Sequence, residues 1–152
     1  MIRSVRASVH VDEPPQVVWR AATDWTRQRD WMVGTEVHVI AGAGGPGSRL
    51  AAFTGVGGVG VLDVMDVVGW DPPRSCRVAH AGGFVRGAGG FDVAEVRSGG
   101  GAAALFTWWE EFELPAVAGP AWPFVRPAVV RGLRCSLDRF ARHCRGYREE
   151  ES

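Results

Sequence analysis

Lysine and asparagine are absent from these 152 residues, and isoleucine occurs only at Ile2 and Ile40. Residue types with A/T-rich codons are missing together, which reads as the bias of a GC-rich bacterial genome and not as a functional signal. No charge prevails: 17 basic residues, all arginine, face 17 acidic ones. That balance excludes a global pull toward nucleic acid or an anionic membrane. No apolar run reaches the roughly 18 residues of a membrane span, and Met1–Arg6 does not open a secretory signal. Cysteine is scarce and odd in number (Cys76, Cys135, Cys144), with no CxxC or Cys/His ligand spacing. Reduced structural thiols in a cytoplasmic protein are therefore expected, with no metal and no cofactor. Histidine is limited to four scattered positions and tyrosine to Tyr147. No GxSxG suggests a serine hydrolase, and "GAGG" and "GGVG" lack the GK[ST] of a phosphate loop.

What is present has the composition of a soluble globular protein, 46% hydrophobic and 22% charged. The length suits a single domain, expected over residues 1–147, with 148–152 as a disordered acidic tail. "SVRASVHV" alternates Val5, Ala7, Val9 and Val11 with polar residues, the period of a half-buried strand. Asp12 and the pair Pro14–Pro15 then announce a helix carrying Val17, Val18, Ala21, Ala22 and Trp25 on one stripe. A second short helix is predicted over Thr26–Met32, turning Trp31 inward. From Gly34 to Leu114, short Val-rich runs alternate with turn chemistry, predicting strands over 35–41, 48–54, 60–69, 75–80, 84–97 and 103–114. Short, regular connections of this kind build an antiparallel meander. After Pro115, a long helix is predicted from Pro127 to about Arg145. Val130, Leu133, Leu137, Phe140 and Cys144 form its apolar face, opposite Arg131, Arg134, Asp138, Arg142 and Arg145. That arginine-rich side reads as a solvated face, because no aromatics interleave as a nucleic-acid groove would require.

The order strand, two short helices, six strands, long helix resembles the START-like superfamily of polyketide cyclases and dehydrases (SRPBCC). The residues carrying it are "VHVDEPPQVVWRAATDW", Trp31, "VVGWDPPR", "FTWWEEFELP" and "SLDRFARHC". The resemblance implies an α+β helix-grip fold, with an antiparallel sheet of about seven strands wrapped on the last helix. It also implies a cavity between them for a lipid-like, hormone-like or aromatic polyketide ligand, in some members with cyclisation or dehydration there. Fold alone does not choose among these.

Strand alternation across "FTWWEEFELP" puts Phe106, Trp108, Glu110 and Phe112 on one face, and Thr107, Trp109, Glu111 and Glu113 on the other. The first face carries three large apolar residues and is expected to be the inner one. Glu110 then points in alone, and a slip of one residue would reverse the assignment. A carboxylate among Phe and Trp suits a general acid or a hydrogen-bond anchor, unless an arginine such as Arg86 neutralises it. Asp63 shares a face with Met65 and Val67 and is the candidate second inward carboxylate. His80 is in phase with Val78 but stands just before a turn, so an exposed position is expected, with the cavity mouth as the alternative. His10 and His38 are expected in solvent. Phe91, Phe106, Trp108 and Phe112 would form apolar wall, with Glu110, His80, Arg86 and Asp63 as polar candidates. The expected function is binding of a small hydrophobic or aromatic molecule. The alternatives are a cyclase or dehydratase with Glu110 as acid/base, and a protein-interaction module. No nucleic-acid partner and no membrane span are expected, and the protein would be a monomer or homodimer.

Overall fold

The period-two runs become seven strands in the computed structural model, which describes residues 2–83 and 85–150. In chain order they are β1 (Ile2–Val11), β2 (Thr35–Ala41), β3 (Arg49–Val56), β4 (Val59–Asp71), β5 (Ser75–His80), β6 (Gly87–Ser98) and β7 (Gly101–Glu113). Helix α1 (Pro15–Thr23) and a 3-10 segment (Trp25–Asp30) link β1 to β2, and helix α2 (Trp122–Glu150) closes the chain. The sheet order is β1-β7-β6-β5-β4-β3-β2, antiparallel at every pairing. Strands β2 to β7 follow one another as the meander predicts. The chain's first strand completes the sheet beside its last, with the helical connection between β1 and β2 spanning the difference. The result is the open, curved seven-stranded sheet with a long C-terminal helix that the resemblance implied.

One end of the α2–sheet interface is solid. Phe140 meets Phe106 at 4.2 Å and Trp31 at 4.7 Å between ring centroids, and Trp31 also touches Phe91 and Trp108. Trp31, Phe106 and Phe140 are fully buried, and burying rings of this size contributes roughly 1.5–3 kcal/mol each. Leu133, Leu137 and Cys144 join the same helix face as the spacing predicts, while Arg134 stays in solvent.

Helix α2 differs from expectation at both ends. It begins at Trp122, with Pro127 inside it. A proline biases the preceding residue away from helix without barring it, and here it forfeits one backbone bond near an exposed first turn. At the other end the helix runs to Glu150 instead of giving way to a tail at 148. Arg148 donates to Glu13 at 3.1 Å, and that carboxylate is only 8% exposed, so the last turn is tied to the loop ahead of α1. Glu151 and Ser152 lie outside the described residues, as does Phe84 in the segment predicted to start β6. Among the described residues no helix is long and apolar enough to cross a membrane.

Candidate functional site

The small residues of α2 decide where the interface is hollow. Ala128, Gly132 and Ser136 recur at steps of four and line a cavity of about 610 Å³ between the helix and the sheet. Beyond them, Leu137 and Phe140 fill the corresponding space. The opposite walls come from β3 (Leu50, Ala52), β4 (Val61, Met65), β5 (Cys76, Val78) and the aromatic residues Phe91, Trp108 and Phe112. Exposed lining residues Val33, Thr54, Val61 and Ala128 mark its mouth.

One wall is polar. Asp63 on β4, His80 on β5 and Glu110 on β7 all reach the cavity. His80 Nδ1 lies 2.6 Å from Asp63 Oδ2, and Nε2 lies 2.9 Å from Glu110 Oε2. Trp108 Nε1 donates to Glu110 Oε1 at 2.9 Å, and Phe112 stacks on the imidazole at 6.3 Å between centroids. The side chains of His80, Asp63 and Glu110 are 3%, 17% and 15% exposed, so the ring is sealed and the two acidic side chains are mostly buried. Ionised carboxylates only accept, so a ring bonded to two of them carries hydrogen on both nitrogens. Burial, the largest single influence, pushes His80 toward the neutral form. The hydrogen bonds of Asp63 and Glu110 and their charges together outweigh it and raise the pKa to about 9. At neutral pH the triad is an imidazolium between two carboxylates.

A glycine makes this contact possible. His80 and Glu110 belong to strands separated by β6, whose inward position between them is Gly89, paired with Glu110 on one side and Val78 on the other. A β-carbon there would stand 2.7 Å from Glu110 Cδ and 2.9 Å from Oε1, and nearer still to Oε2. Without a side chain at 89, the carboxylate crosses β6 and meets the imidazole. Its neighbour Gly90 does the same on the outer face, where the Trp109 ring lies against it and carries Arg77 at 5.5 Å.

The sequence-derived candidates fall into three groups. Phe91, Trp108, Phe112, Glu110 and Asp63 line the cavity, and Glu111 and Glu113 face solvent. His80, expected in solvent with the cavity mouth as the alternative, is the buried centre of the polar wall. Its strand is central in the sheet, and its last residue is still paired on both sides, with Met65 and Gly87. Phe106 and Arg86 do not belong to the wall. Phe106 sits where Phe140 packs directly on the sheet, so it is core. Val85 takes the inward position, which turns Arg86 out into solvent, and Glu110 is neutralised by His80 instead. His10 and His38 are exposed. Ser136 is buried and accepts from the Val33 backbone N–H at 3.0 Å, a structural bond. Gly89 and the small-residue row Ala128–Gly132–Ser136 escaped sequence reasoning. The steps of four in that row were the available signal. Among the described residues no group of His, Cys, Asp and Glu is arranged to hold a metal ion.

Comparison with known proteins agrees with this fold. No curated protein matches the chain. Among solved structures, TTHA0849 from Thermus thermophilus is similar over 95% of this chain and 98% of its own, at 19% identity and a TM-score of 0.72. The Zhui aromatase/cyclase from Streptomyces sp. R1128 superimposes with a TM-score of 0.76, at 16% identity, over 95% of this chain and 94% of its own. Ara h 8.0201 does so with a TM-score of 0.63 at 11% identity, over 96% and 99%. Identities this low establish a shared fold and no more. A family match extends over residues 3–145, and with it the chain belongs to the polyketide cyclase/dehydrase and lipid transport family of the SRPBCC superfamily.

Proposed function

We propose that this protein binds a small hydrophobic or aromatic molecule, lipid- or polyketide-like, in the cavity between the sheet and α2. The observation that carries this reading is the cavity itself. At about 610 Å³ it lies within the roughly 300–1,000 Å³ range of small-molecule sites, and its wall is mostly apolar. Phe91, Trp108 and Phe112 supply flat apolar surface, and the Asp63–His80–Glu110 triad supplies polar orientation. Native mass spectrometry of the freshly purified protein tests it. A co-purifying apolar molecule displaced by Trp108→Ala is the expected result, and a protein that never carries or takes up such a molecule would refute it.

The triad also favours a second reading, a cyclase or dehydratase. Such chemistry needs a proton taken from carbon and one delivered to oxygen. An imidazolium hydrogen-bonded to two carboxylates joins a donor and an acceptor within one wall, and Glu110 would be the acid/base facing substrate. The Streptomyces aromatase/cyclase has the same fold, which is compatible with this reading and does not choose it. Glu110→Gln separates the two. Loss of turnover of a polyketide-like substrate with affinity retained marks the enzyme, and loss of affinity with no turnover in the parent marks the carrier.

A further inference from the structure

The hydrogen-bonding capacity of the cavity is lopsided. The side-chain N–H groups that line it are committed: Trp108 Nε1 to Glu110, both His80 nitrogens to carboxylates, Trp25 Nε1 to the Gly44 carbonyl at 2.7 Å and Gln28 Nε2 to the Ala22 carbonyl at 2.9 Å. Turning any one toward a ligand would strip a largely buried acceptor of its partner, which is more costly than the new bond is favourable. Acceptors are in surplus. A carboxylate offers about four lone-pair positions. Glu110 uses one on each oxygen, while Asp63 uses Oδ2 alone and keeps Oδ1 buried without a partner. Charge leans the same way. Two carboxylates around one imidazolium leave one net negative charge, and among the described residues no arginine lines the cavity. An incoming carboxylate or phosphate would meet like charge and no available cation. An incoming hydroxyl would meet the remaining lone pairs of Glu110, Asp63 Oδ1 being sealed within the wall.

We infer that the cavity selects an apolar, flat molecule bearing a hydroxyl donor, a phenol or an alcohol, directed at the Glu110 carboxylate. The same skeleton carrying a carboxylate is rejected, and one whose hydroxyl is methylated binds weakly. This deepens the proposed function and rests on the cavity being a ligand site.

Calorimetric titration of the full chain at pH 7 with 2-naphthol, 2-methoxynaphthalene and 2-naphthoate tests it without any variant. A hydrogen bond to a charged acceptor corresponds to about a 10- to 100-fold preference for the naphthol over its methyl ether. The naphthoate is expected to bind more weakly than the ether. In Glu110→Gln, where an amide replaces one carboxylate and a negative charge is gone, the naphthol advantage should shrink and the naphthoate should gain. Glu111→Gln should behave as wild type. Equal affinities of naphthol and ether, or naphthoate binding tightest, would overturn the inference while leaving the ligand site standing. Binding of none of the three would overturn both.

Discussion

Replacing Gly89 by alanine should disconnect Glu110 from His80 while leaving the fold in place. The added methyl would stand 2.7 Å from Glu110 Cδ and 2.9 Å from Oε1, well inside van der Waals contact. The backbone there is extended strand and lies outside the left-handed region, so alanine itself brings no strain. What must move is the end of a flexible side chain, and the carboxylate swings off its 2.9 Å bond to Nε2. The imidazolium loses one of its two partners but keeps its burial. A charge-assisted hydrogen bond corresponds to roughly 1.5–3 kcal/mol, so the His80 pKa should fall from about 9 by about one to two pH units. Overall stability should change by only about 1 kcal/mol, because removing glycine's excess freedom in the unfolded chain offsets part of the lost bond. Ring-proton NMR titration reads this directly, with exposed His10 and His38 as internal references. Glu110→Gln should lower the His80 pKa similarly, and adding Gly89→Ala to it should do nothing more. A pKa that stays near 9 in Gly89→Ala would refute the idea that this glycine is what admits the carboxylate.

Stability should depend on pH through the same ring. The folded pKa of His80, about 9, lies above its ordinary 6.5, so folding takes up a proton between those values. The contribution is whole below about pH 6.5 and is lost as pH rises through about 9, up to about 3 kcal/mol, with water at the cavity edge reducing it. Urea titrations from pH 6 to 9.5 measure it, and a slope of opposite sign would show that the ring is neutral in the fold. Leu137→Ala, at a 2% exposed core position, should cost roughly 2–5 kcal/mol in thermal or denaturant unfolding, and exposed Arg134→Ala almost nothing. Equal losses would mean that the helix is rotated from the orientation described. Burial raises the thiol pKa of Cys76 and of Cys144 to about 12, the nearby Glu13 charge adding to it at Cys144, while Cys135 is exposed. Iodoacetamide at pH 8 should therefore label Cys135 first in the native protein and all three in urea, counted by intact mass.

The amino-acid sequence by itself determined the strands, the helices and their faces. Periodicity is local, and the alternation of Phe106, Trp108, Glu110 and Phe112 placed Glu110 inside and Glu111 outside before any neighbour was known. It also put Asp63 in phase with Met65, and His80 in phase with Val78. What the alternation could not say is whether an inward position meets core, cavity or solvent. Phe106 and Trp108 share one face of β7, yet Phe106 lies under Phe140 and Trp108 faces a void, because α2 carries large residues over one and small ones over the other. The hydrogen-bonded convergence of the polar wall was decided by tertiary structure. Its three members are 17 and 30 residues apart, on strands that meet only through the sheet order, and one contact passes over a glycine whose side chain is missing. An imidazolium can persist in an apolar cavity only if carboxylates from distant parts of the chain reach both of its nitrogens, and sequence spacing does not encode that convergence.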